Sequence, residues 1–536
     1  MISTPVRLNL LWATSIIGIV ICYIVFAKLV FLSQPIRYFS LIDDGQAYDN
    51  AHILKECVLT LECDGAVPIL VEKEFGRFRP MYWILQSLQF QIANFDAAAI
   101  HVVRVLFIGS LLVLLLVLNI YSITKSVLGA LFGTMFFIST YSFAENIIRL
   151  GPSDSFQLIF IATFSLLFLH FSKLKKFLSS KVLMTFMILC LIAASLIRET
   201  SIALLPVILG TGIFFGTPDF KMKKLPFILT PFLLIVLGKY VARPESNTLN
   251  YGGFYSTSVS NILATTEAYI SILLPLTKYL LPLVTLVFLG IILDKLKSKF
   301  SSRALFYWII TGLCFVAIFL PWQFALERYL LICLFAVAVS VGGVVGIAIN
   351  EIKLFLQNTS HQYKQYFSAG ITVLAVILLS NFYFMTFGLQ IAKSLNYAHW
   401  YRNYVRYEHD LVTAIAETDE SLYLNAVNTL DNWEVLYELP LHLRFYFNQE
   451  RTLEITETLE PNMLVLSTSS LLPVPELSAE IASSSTVVRT NTFEIQQINV
   501  LAFRSKLRVH PLQTIMNPDF ETQTINHTWS ITHSKP

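Results

Sequence analysis

The chain has 536 residues, of which 55% are hydrophobic and only 14% are charged, and its mean hydropathy is +0.64. A soluble domain carries about 25% charged residues, so this composition excludes a cytosolic enzyme and a nucleic-acid-binding protein. Six cysteines are too few for a secreted disulfide scaffold. The formal net charge is only +3, so the basic residues matter through their positions. We therefore predict an integral membrane protein.

Apolar runs that suit membrane spans recur along the chain up to residue 388. A helix needs roughly 20 apolar residues to cross about 30 Å of hydrocarbon. The first run has no small-residue cleavage site before Gln34, so it is predicted to be a span rather than a cleaved signal peptide. We count about eleven runs, near residues 8–31, 102–122, 127–143, 155–172, 182–197, 201–217, 225–241, 267–293, 304–320, 329–349 and 369–388.

The distribution of Lys and Arg between the runs predicts the orientation. Alternate short connections hold clusters of basic residues at 173–181, 221–224 and 295–303, whereas the opposite connections hold little more than single arginines. Since basic loops stay inside, the N-terminus is predicted to be cytoplasmic. An odd number of spans then puts the C-terminus on the extracytoplasmic side.

This topology predicts two parts, a mainly α, polytopic helix bundle over 1–388 and an extracytoplasmic α/β domain over 389–536. The first outer loop, residues 32–101, is the largest connection in the bundle. In the second part charged residues return to ordinary density. Its pattern predicts strand, helix, strand and a further β-rich stretch, over 422–427, 432–448, 463–467 and up to about Phe503.

Two adjacent carboxylates, Asp43 and Asp44, stand about ten residues after the first span. Near the headgroup boundary, desolvation raises a carboxyl pKa towards values that suit a general base. Ala47, Ala51 and Leu54 recur at helical spacing, which predicts an amphipathic helix lying on the membrane. The alternative is that the two acids only cap that helix.

Two arginines, Arg77 and Arg79, lie among aromatic residues in the segment 75–83. Such a pair can bind a phosphate through parallel hydrogen bonds. The alternative, which the sequence by itself favours, is that both side chains reach the lipid headgroups beside an aromatic belt.

Three further loops predicted on the outer side each bring an acidic residue and an arginine to the mouth of two helices. One such pair contributes little at an interface, but ionisable groups at membrane depth are costly and indicate function. Together with the acidic pair they predict a charged cavity at the outer leaflet. The residues are Glu145, Arg149 and Asp154, then Arg198 and Glu199, then Glu327 and Arg328.

Other signals are weaker. Cys57 and Cys63 share the first outer loop, where a disulfide is allowed, and the sequence leaves their pairing open. His52 and His101 flank that loop, but no His, Cys and Asp spacing predicts a zinc site. Asn526 begins a glycosylation sequon that also occurs often by chance. Neither a Walker loop nor a dinucleotide fingerprint is present, which disfavours a nucleotide-driven reaction.

Taken together, these features resemble the GT-C superfamily of polytopic glycosyltransferases, which includes protein O-mannosyltransferases and lipid A aminoarabinose transferases. The pair Asp43-Asp44 departs from the Asp-Glu that is commoner in the mannosyltransferases, so the resemblance leaves open which carboxylate matters. The matching features are the acidic pair followed by a helix, the acidic outer loop Glu145 to Asp154, the short Arg198-Glu199-Thr200 connection, the Glu327-Arg328-Tyr329 corner and the C-terminal domain outside.

The resemblance implies transfer of a sugar from a polyprenyl-phosphate-linked donor to a glycan, lipid or protein acceptor outside a membrane, most simply the bacterial plasma membrane. Inversion at the anomeric carbon is expected, because no nucleophile arrangement stands out. A divalent cation is compatible with the family, but no ligand set for it is evident. Expected roles are Asp43 as base with Asp44 as partner or alternate, Glu145 or Asp154 on the acceptor or a metal, Arg198, then Arg328, then Arg77 and Arg79 on the donor phosphate, and Arg149, Glu199, Glu327 and Tyr48 as further substrate contacts.

Two other functions stay open at this stage. In a transporter or flippase for a lipid-linked or anionic substrate, the Arg and Glu pairs would form a gate, although neither inverted repeats nor interrupted midplane helices are evident. In a polysaccharide polymerase or ligase, Arg and His chemistry would dominate and the acidic pair would be dispensable.

Overall fold

The fold is known from a computed structural model. It describes residues 4–41, 43–72, 76–215, 225–243, 256–277, 299–322, 325–358, 388–418, 422–425, 429–451, 454–456, 464–468, 485–498 and 522–534. Within these ranges the chain is mainly helical, with short strands only after residue 421.

The helices follow one another along the chain with short connections. In the first half they are α1 (Thr4–Val30), α2 (Asp44–Thr60), α3 (Ala66–Leu70), α4 (Pro80–Ile92), α5 (Ala97–Val102), α6 (Gly109–Thr124), α7 (Val127–Ser139), α8 (Tyr141–Ile148), α9 (Asp154–Leu169), α10 (Phe171–Leu174) and α11 (Ser180–Ile197). A π-helical turn, Val103–Ile108, joins α5 to α6. The second half holds α12 (Leu204–Phe215), α13 (Leu225–Val241), α14 (Val259–Thr277), α15 (Lys299–Ala317), α16 (Leu331–Asn358), α17 (Gly388–Ala416) and α18 (Thr429–Phe447), with 3-10 turns at Glu199–Ala203 and Glu327–Leu330.

Nine of the predicted apolar runs coincide with described helices. The run 267–293 is described only to residue 277, and the run 369–388 lies almost wholly outside the described residues. Four described helical segments are long and apolar enough to cross a membrane, and the pair α7 and α8, bent by 67°, makes a fifth if it counts as one span. These four are Ala13–Val30, Ala97–Thr124, Ser180–Ile197 and Glu327–Asn350. The total of eleven spans stays a prediction.

Small residues bring two of the central helices into close contact. A Cβ atom at Gly129 of α7 would lie 2.5 Å from the carbonyl oxygen of Gly342 in α16, and one at Gly346 would meet the Thr124 side chain at 2.7 Å. Without a hydrophobic driving force inside the bilayer, such close backbone approach is what gives helices their dispersion contacts. The glycines therefore fix how α7 and α16 cross.

The C-terminal strands form one five-stranded sheet of order β2-β1-β3-β5-β4. The strand β1 pairs in parallel with β2 and β3, while β5 pairs antiparallel with β3 and β4. The elements β1, α18 and β3 lie where the sequence predicts strand, helix and strand. The division of the chain at residue 388 stays a prediction. The strands are β1 (Leu422–Asn425), β2 (Glu454–Thr456), β3 (Leu464–Thr468), β4 (Ser485–Ile498) and β5 (Thr522–Ser534).

A second apolar core joins this sheet to the first outer loop. Leu41, immediately before the acidic pair, is buried with Leu439 and Leu443 of α18 and with Trp529 of β5. The predicted helix after Asp44 is confirmed as α2, which buries Ala47, Ala51 and Leu54 as its periodicity requires. The C-terminal helices thus lie directly against the turn that carries the two aspartates.

Candidate active site

The acidic pair occupies the first turn of α2, and Asp43 does not cap that helix with its side chain. Asp43 stands at the N-cap with a left-handed backbone (φ 69°) and makes no side-chain cap hydrogen bond. The free amides are instead bound by Glu438 of α18, whose Oε2 accepts from Gly45 N at 2.6 Å and whose Oε1 accepts from Gln46 N at 3.1 Å. The capping alternative is therefore wrong for Asp43.

Asp44 is fully buried beneath this turn. Its Oδ2 accepts hydrogen bonds from Ser40 N at 2.9 Å and from the Tyr401 hydroxyl at 3.4 Å. Burial raises the pKa of Asp44 to about 7. A second buried acid, Glu408, accepts from the Ser40 hydroxyl at 2.9 Å and from Leu41 N at 3.1 Å, and burial raises its pKa to about 8. Asp44 is thus a member of a buried acidic network rather than an exposed base.

Asp43, by contrast, keeps half of its side chain exposed, at 50%. Its Oδ2 lies 3.7 Å from Nη2 of Arg149, which is longer than a charge-assisted hydrogen bond. The backbone of Gly151 passes so close that a Cβ there would lie 2.5 Å from the same oxygen. A solvent-facing carboxylate beside a cation is an arrangement that can take a proton from an incoming hydroxyl.

The loop between α8 and α9, which faces Asp43, is held by buried polar side chains. Arg104, in the π-helical turn, donates from Nη2 to the carbonyl oxygens of Asn146 at 3.1 Å and Pro152 at 2.7 Å. The Tyr82 hydroxyl donates to the Gly151 carbonyl at 2.8 Å, and Gln86 Nε2 donates to the Leu150 carbonyl at 3.3 Å. These contacts fix the loop from below, so its outer side can present Arg149 to Asp43.

Arg149 lies among three of the predicted site residues. Its Nη1 is 3.5 Å from Glu145 Oε1, one helical turn earlier, in addition to the contact with Asp43. Arg328 lies at the next corner, where its carbonyl oxygen accepts from Asn146 Nδ2 at 2.9 Å. In the described part of the chain, the Arg328 guanidinium makes no ion pair and lies 5.3 Å above the Tyr329 ring. Two cations with weak protein contacts therefore stand beside the exposed carboxylate.

Asp154 and Arg198 form a second, tighter pair. Arg198 Nη1 lies 2.5 Å from Asp154 Oδ1, and the guanidinium also lies over the ring of Tyr329 at 4.8 Å. Gln157 Nε2 donates to the Arg198 carbonyl at 3.1 Å. Glu199 turns away from this pair and contacts Lys239 Nζ at 3.2 Å.

Arg79 is committed to a partner that the sequence did not single out. The guanidinium binds Glu72 through two hydrogen bonds, from Nε at 3.1 Å and from Nη2 at 2.8 Å. Trp83 Nε1 donates to the same carboxylate. Arg77 is half-buried two residues before Arg79, and its backbone amide donates to the Glu72 carbonyl at 3.2 Å.

Two other predicted substrate contacts lie outside the Asp43 group. The ring of Tyr48 stacks on Phe445 of α18 at 4.4 Å, in an aromatic cluster that also holds Phe39 and Phe90. Glu327 is largely buried, and its Oε1 has no hydrogen-bond partner among the described residues.

Cys57 and Cys63 are joined by a disulfide at the end of α2. Within the ranges that the structure describes, no group of three or more His, Cys, Asp or Glu side chains could hold a metal ion. The residues present there do not match a divalent cation, so we route no chemistry through one.

Comparison with known proteins connects this geometry to a fold. No protein-family model matches the chain, and no curated protein sequence is similar to it. Two solved structures are similar at probability 1.00, the apo oligosaccharyltransferase of Archaeoglobus fulgidus and apo ArnT from Cupriavidus metallidurans. The first has a TM-score of 0.52 and 11% identity, over 82% of this chain and 64% of that chain. The second has a TM-score of 0.50 and 10% identity, over 96% of this chain and 98% of that chain.

Both are GT-C glycosyltransferases. The chain has the GT-C fold. The resemblance expected from the loops is therefore confirmed at the level of the fold.

Of the predicted site residues, the structure brings Asp43, Asp44, Glu145 and Arg149 together, with Arg328 at the next corner. The sequence did not indicate the side chains that support them. These are single polar residues within apolar helices, with no pattern that a sequence reveals, namely Arg104, Tyr401, Glu408 and Glu438.

Proposed function

We propose that this protein is a membrane glycosyltransferase that moves a sugar from a polyprenyl-phosphate-linked donor to an acceptor on the extracytoplasmic side. The observation that carries the proposal is the exposed Asp43 carboxylate, which is not used as a helix cap and lies beside Arg149 in a GT-C fold. The disulfide between Cys57 and Cys63 supports an oxidising compartment for this loop.

In the proposed reaction Asp43 accepts the proton of an acceptor hydroxyl as that oxygen attacks the anomeric carbon. The bond from this carbon to the donor phosphate oxygen breaks, and its electron pair stays on the phosphate. Since one displacement occurs without an enzyme nucleophile, the anomeric configuration inverts. Asp44, which is buried and hydrogen-bonded to Ser40 and Tyr401, supports the turn that carries Asp43.

The leaving phosphate needs neutralisation of its developing charge more than it needs a proton. We assign this role to Arg149 and Arg328, because Arg149 makes only ion contacts of 3.5 and 3.7 Å. Arg198 came first in the sequence-based order, but its 2.5 Å pair with Asp154 leaves it less free to bind a ligand. Glu145 then orients Arg149, and the acceptor stays open between glycan, lipid and protein.

The test compares single asparagine variants in detergent-purified protein supplied with lipids extracted from native membranes. Mass spectrometry follows polyprenyl-phosphate sugars before and after acceptor extract is added. We expect Asp43→Asn to lower transfer about 100- to 10,000-fold, the usual range for loss of a general base. Asp49→Asn is the matched control, because Asp49 lies further along α2 and contacts Arg444 instead.

Loss of transfer in Asp44→Asn with full activity in Asp43→Asn would reverse the two roles. If wild type and Asp43→Asn retain and release the lipid alike and no sugar moves, the proposal is wrong and the transporter function takes its place.

A further inference from the structure

The N-terminus of α2 is capped by a residue of another helix. The first amides of any helix lack partners within it, and an Asp at the N-cap normally accepts from them. Here Asp43 holds that position and does not accept. Glu438, 393 residues after Gly45, accepts from the amides of Gly45 and Gln46 instead.

The fit between Glu438 and this turn depends on the absence of a side chain at residue 45. A Cβ at Gly45 would lie 2.4 Å from Glu438 Oε2 and 2.8 Å from Cδ2 of His442. Any larger residue at 45 would displace one of these two groups. Burial, together with the nearby carboxylates of Asp43 and Asp44, raises the pKa of Glu438 well above its ordinary value.

The helix α18 also holds the loop at two further points. The Tyr446 hydroxyl accepts from Phe39 N at 3.0 Å, before the acidic pair, and Arg444 contacts Asp49, after it. Removal of one contact therefore leaves the others to keep α2 against α18. This makes the role of Glu438 separable from helix docking.

We infer that Glu438 is a positioning residue of the transfer reaction, because it caps α2 in place of Asp43 and so leaves the Asp43 carboxylate free to face Arg149 and the acceptor. The inference rests on the proposed function. Glu438 and Asp43 compete for the same amides. Without Glu438, Asp43 is expected to rotate onto them, as aspartates at N-caps ordinarily do, and to withdraw from the acceptor.

The experiment measures kcat, the donor KM and amide hydrogen exchange over residues 43–48 in the full-length protein, with native polyprenyl-phosphate sugar as donor. We expect Glu438→Ala to lower kcat about 10- to 100-fold, since small misplacement of a catalytic group has effects of this size. The donor KM should stay within about twofold, because Arg149 and Arg328 remain in place. Exchange over 43–48 should change as well.

Two variants separate positioning from general stability. Glu438→Gln keeps an oxygen that can accept from Gly45 N, so it should recover at least half of the lost activity on a logarithmic scale. Arg444→Ala removes the α2 contact of the same helix away from the turn, and should behave as wild type in kcat and in exchange over 43–48.

If wild type transfers sugar and Glu438→Ala does so equally well, the positioning role is wrong and the proposed function stands. An equal fall of kcat in Glu438→Ala and Arg444→Ala would also overturn it, because helix docking would then explain the effect. If wild type moves no sugar, the proposed function fails and this inference fails with it, whatever the exchange over 43–48 reports.

Discussion

Two groups of charges on this protein look alike in sequence and differ in structure. The pairs Glu72–Arg79 and Asp154–Arg198 are short, at 2.8 and 2.5 Å, and their carboxylates are buried. Around Arg149 the ion contacts are 3.5 and 3.7 Å, and Asp43 is half exposed. Each group combines arginine with acid near the end of a helix.

The difference lies in what satisfies each charge. A short buried pair neutralises itself, and its separation leaves an uncompensated charge, so it holds the structure together. Charges held by longer contacts can exchange them for a ligand at lower cost. We therefore treat Glu72–Arg79 and Asp154–Arg198 as structural, and the group of Asp43, Arg149, Glu145 and Arg328 as the reacting one.

The largest effect should come from breaking a closed pair. Glu72→Ala leaves Arg79 buried without its partner and Trp83 without its acceptor. We expect a loss of about 3–5 kcal/mol in the free energy of unfolding, measured by denaturation in detergent, with transfer per folded molecule little changed. Glu62→Ala, at an exposed site in the same outer loop, is the control. A stability equal to wild type would show that the pair is not structural.

The next effect should appear in chemistry rather than stability. Arg149→Ala removes a cation whose contacts in the protein are long. We expect transfer to fall about 100- to 1000-fold, the range seen when a group that stabilises developing charge is removed, whereas Arg198→Ala should mainly lower the melting temperature. Steady-state transfer rates and melting curves of both variants test this. The opposite result would return the donor phosphate to Arg198.

The two neighbouring aspartates should differ in their response to pH. Burial raises the pKa of Asp44 to about 7, against an unfolded value of about 3.9. The folded state therefore binds a proton more tightly, so Asp44 contributes stability at low pH that is lost as the pH rises from about 4 to 7. The slope is at most about 1.4 kcal/mol per pH unit for this group. Melting curves of wild type and Asp44→Asn between these values should diverge, and parallel curves would contradict the assignment.

A smaller effect should follow from moving the base without removing it. In Gly151→Ala the new methyl group would lie 2.5 Å from Asp43 Oδ2, so the carboxylate must shift. We expect transfer to fall about tenfold while the melting temperature stays near that of wild type. Gly210→Ala is the matched control, because nothing lies within 4 Å of its Cβ. Unchanged transfer in Gly151→Ala would mean that the position of Asp43 matters little.

Local patterns were sufficient for most of the helices and for the acidic turn. Alternation of apolar and polar residues identified α2 through Ala47, Ala51 and Leu54, and the strands β1 and β3 follow from runs of aliphatic residues. Such patterns depend on neighbours along the chain, which is why the sequence carries them. The presence of Asp43, Asp44 and Arg149 near one another followed from topology alone.

The partner of each charge, in contrast, was decided by tertiary structure. Glu408 is 368 residues from Ser40, and Glu438 is 393 residues from Gly45. The sequence predicted that Asp43 and Asp44 are alike, since they are adjacent and identical. The fold made one the exposed carboxylate beside Arg149 and the other a buried acid, because α17 and α18 pack on one side of the turn only. Composition and periodicity determined a helical membrane protein with charges on one face; packing over long sequence distances determined which of those charges can react.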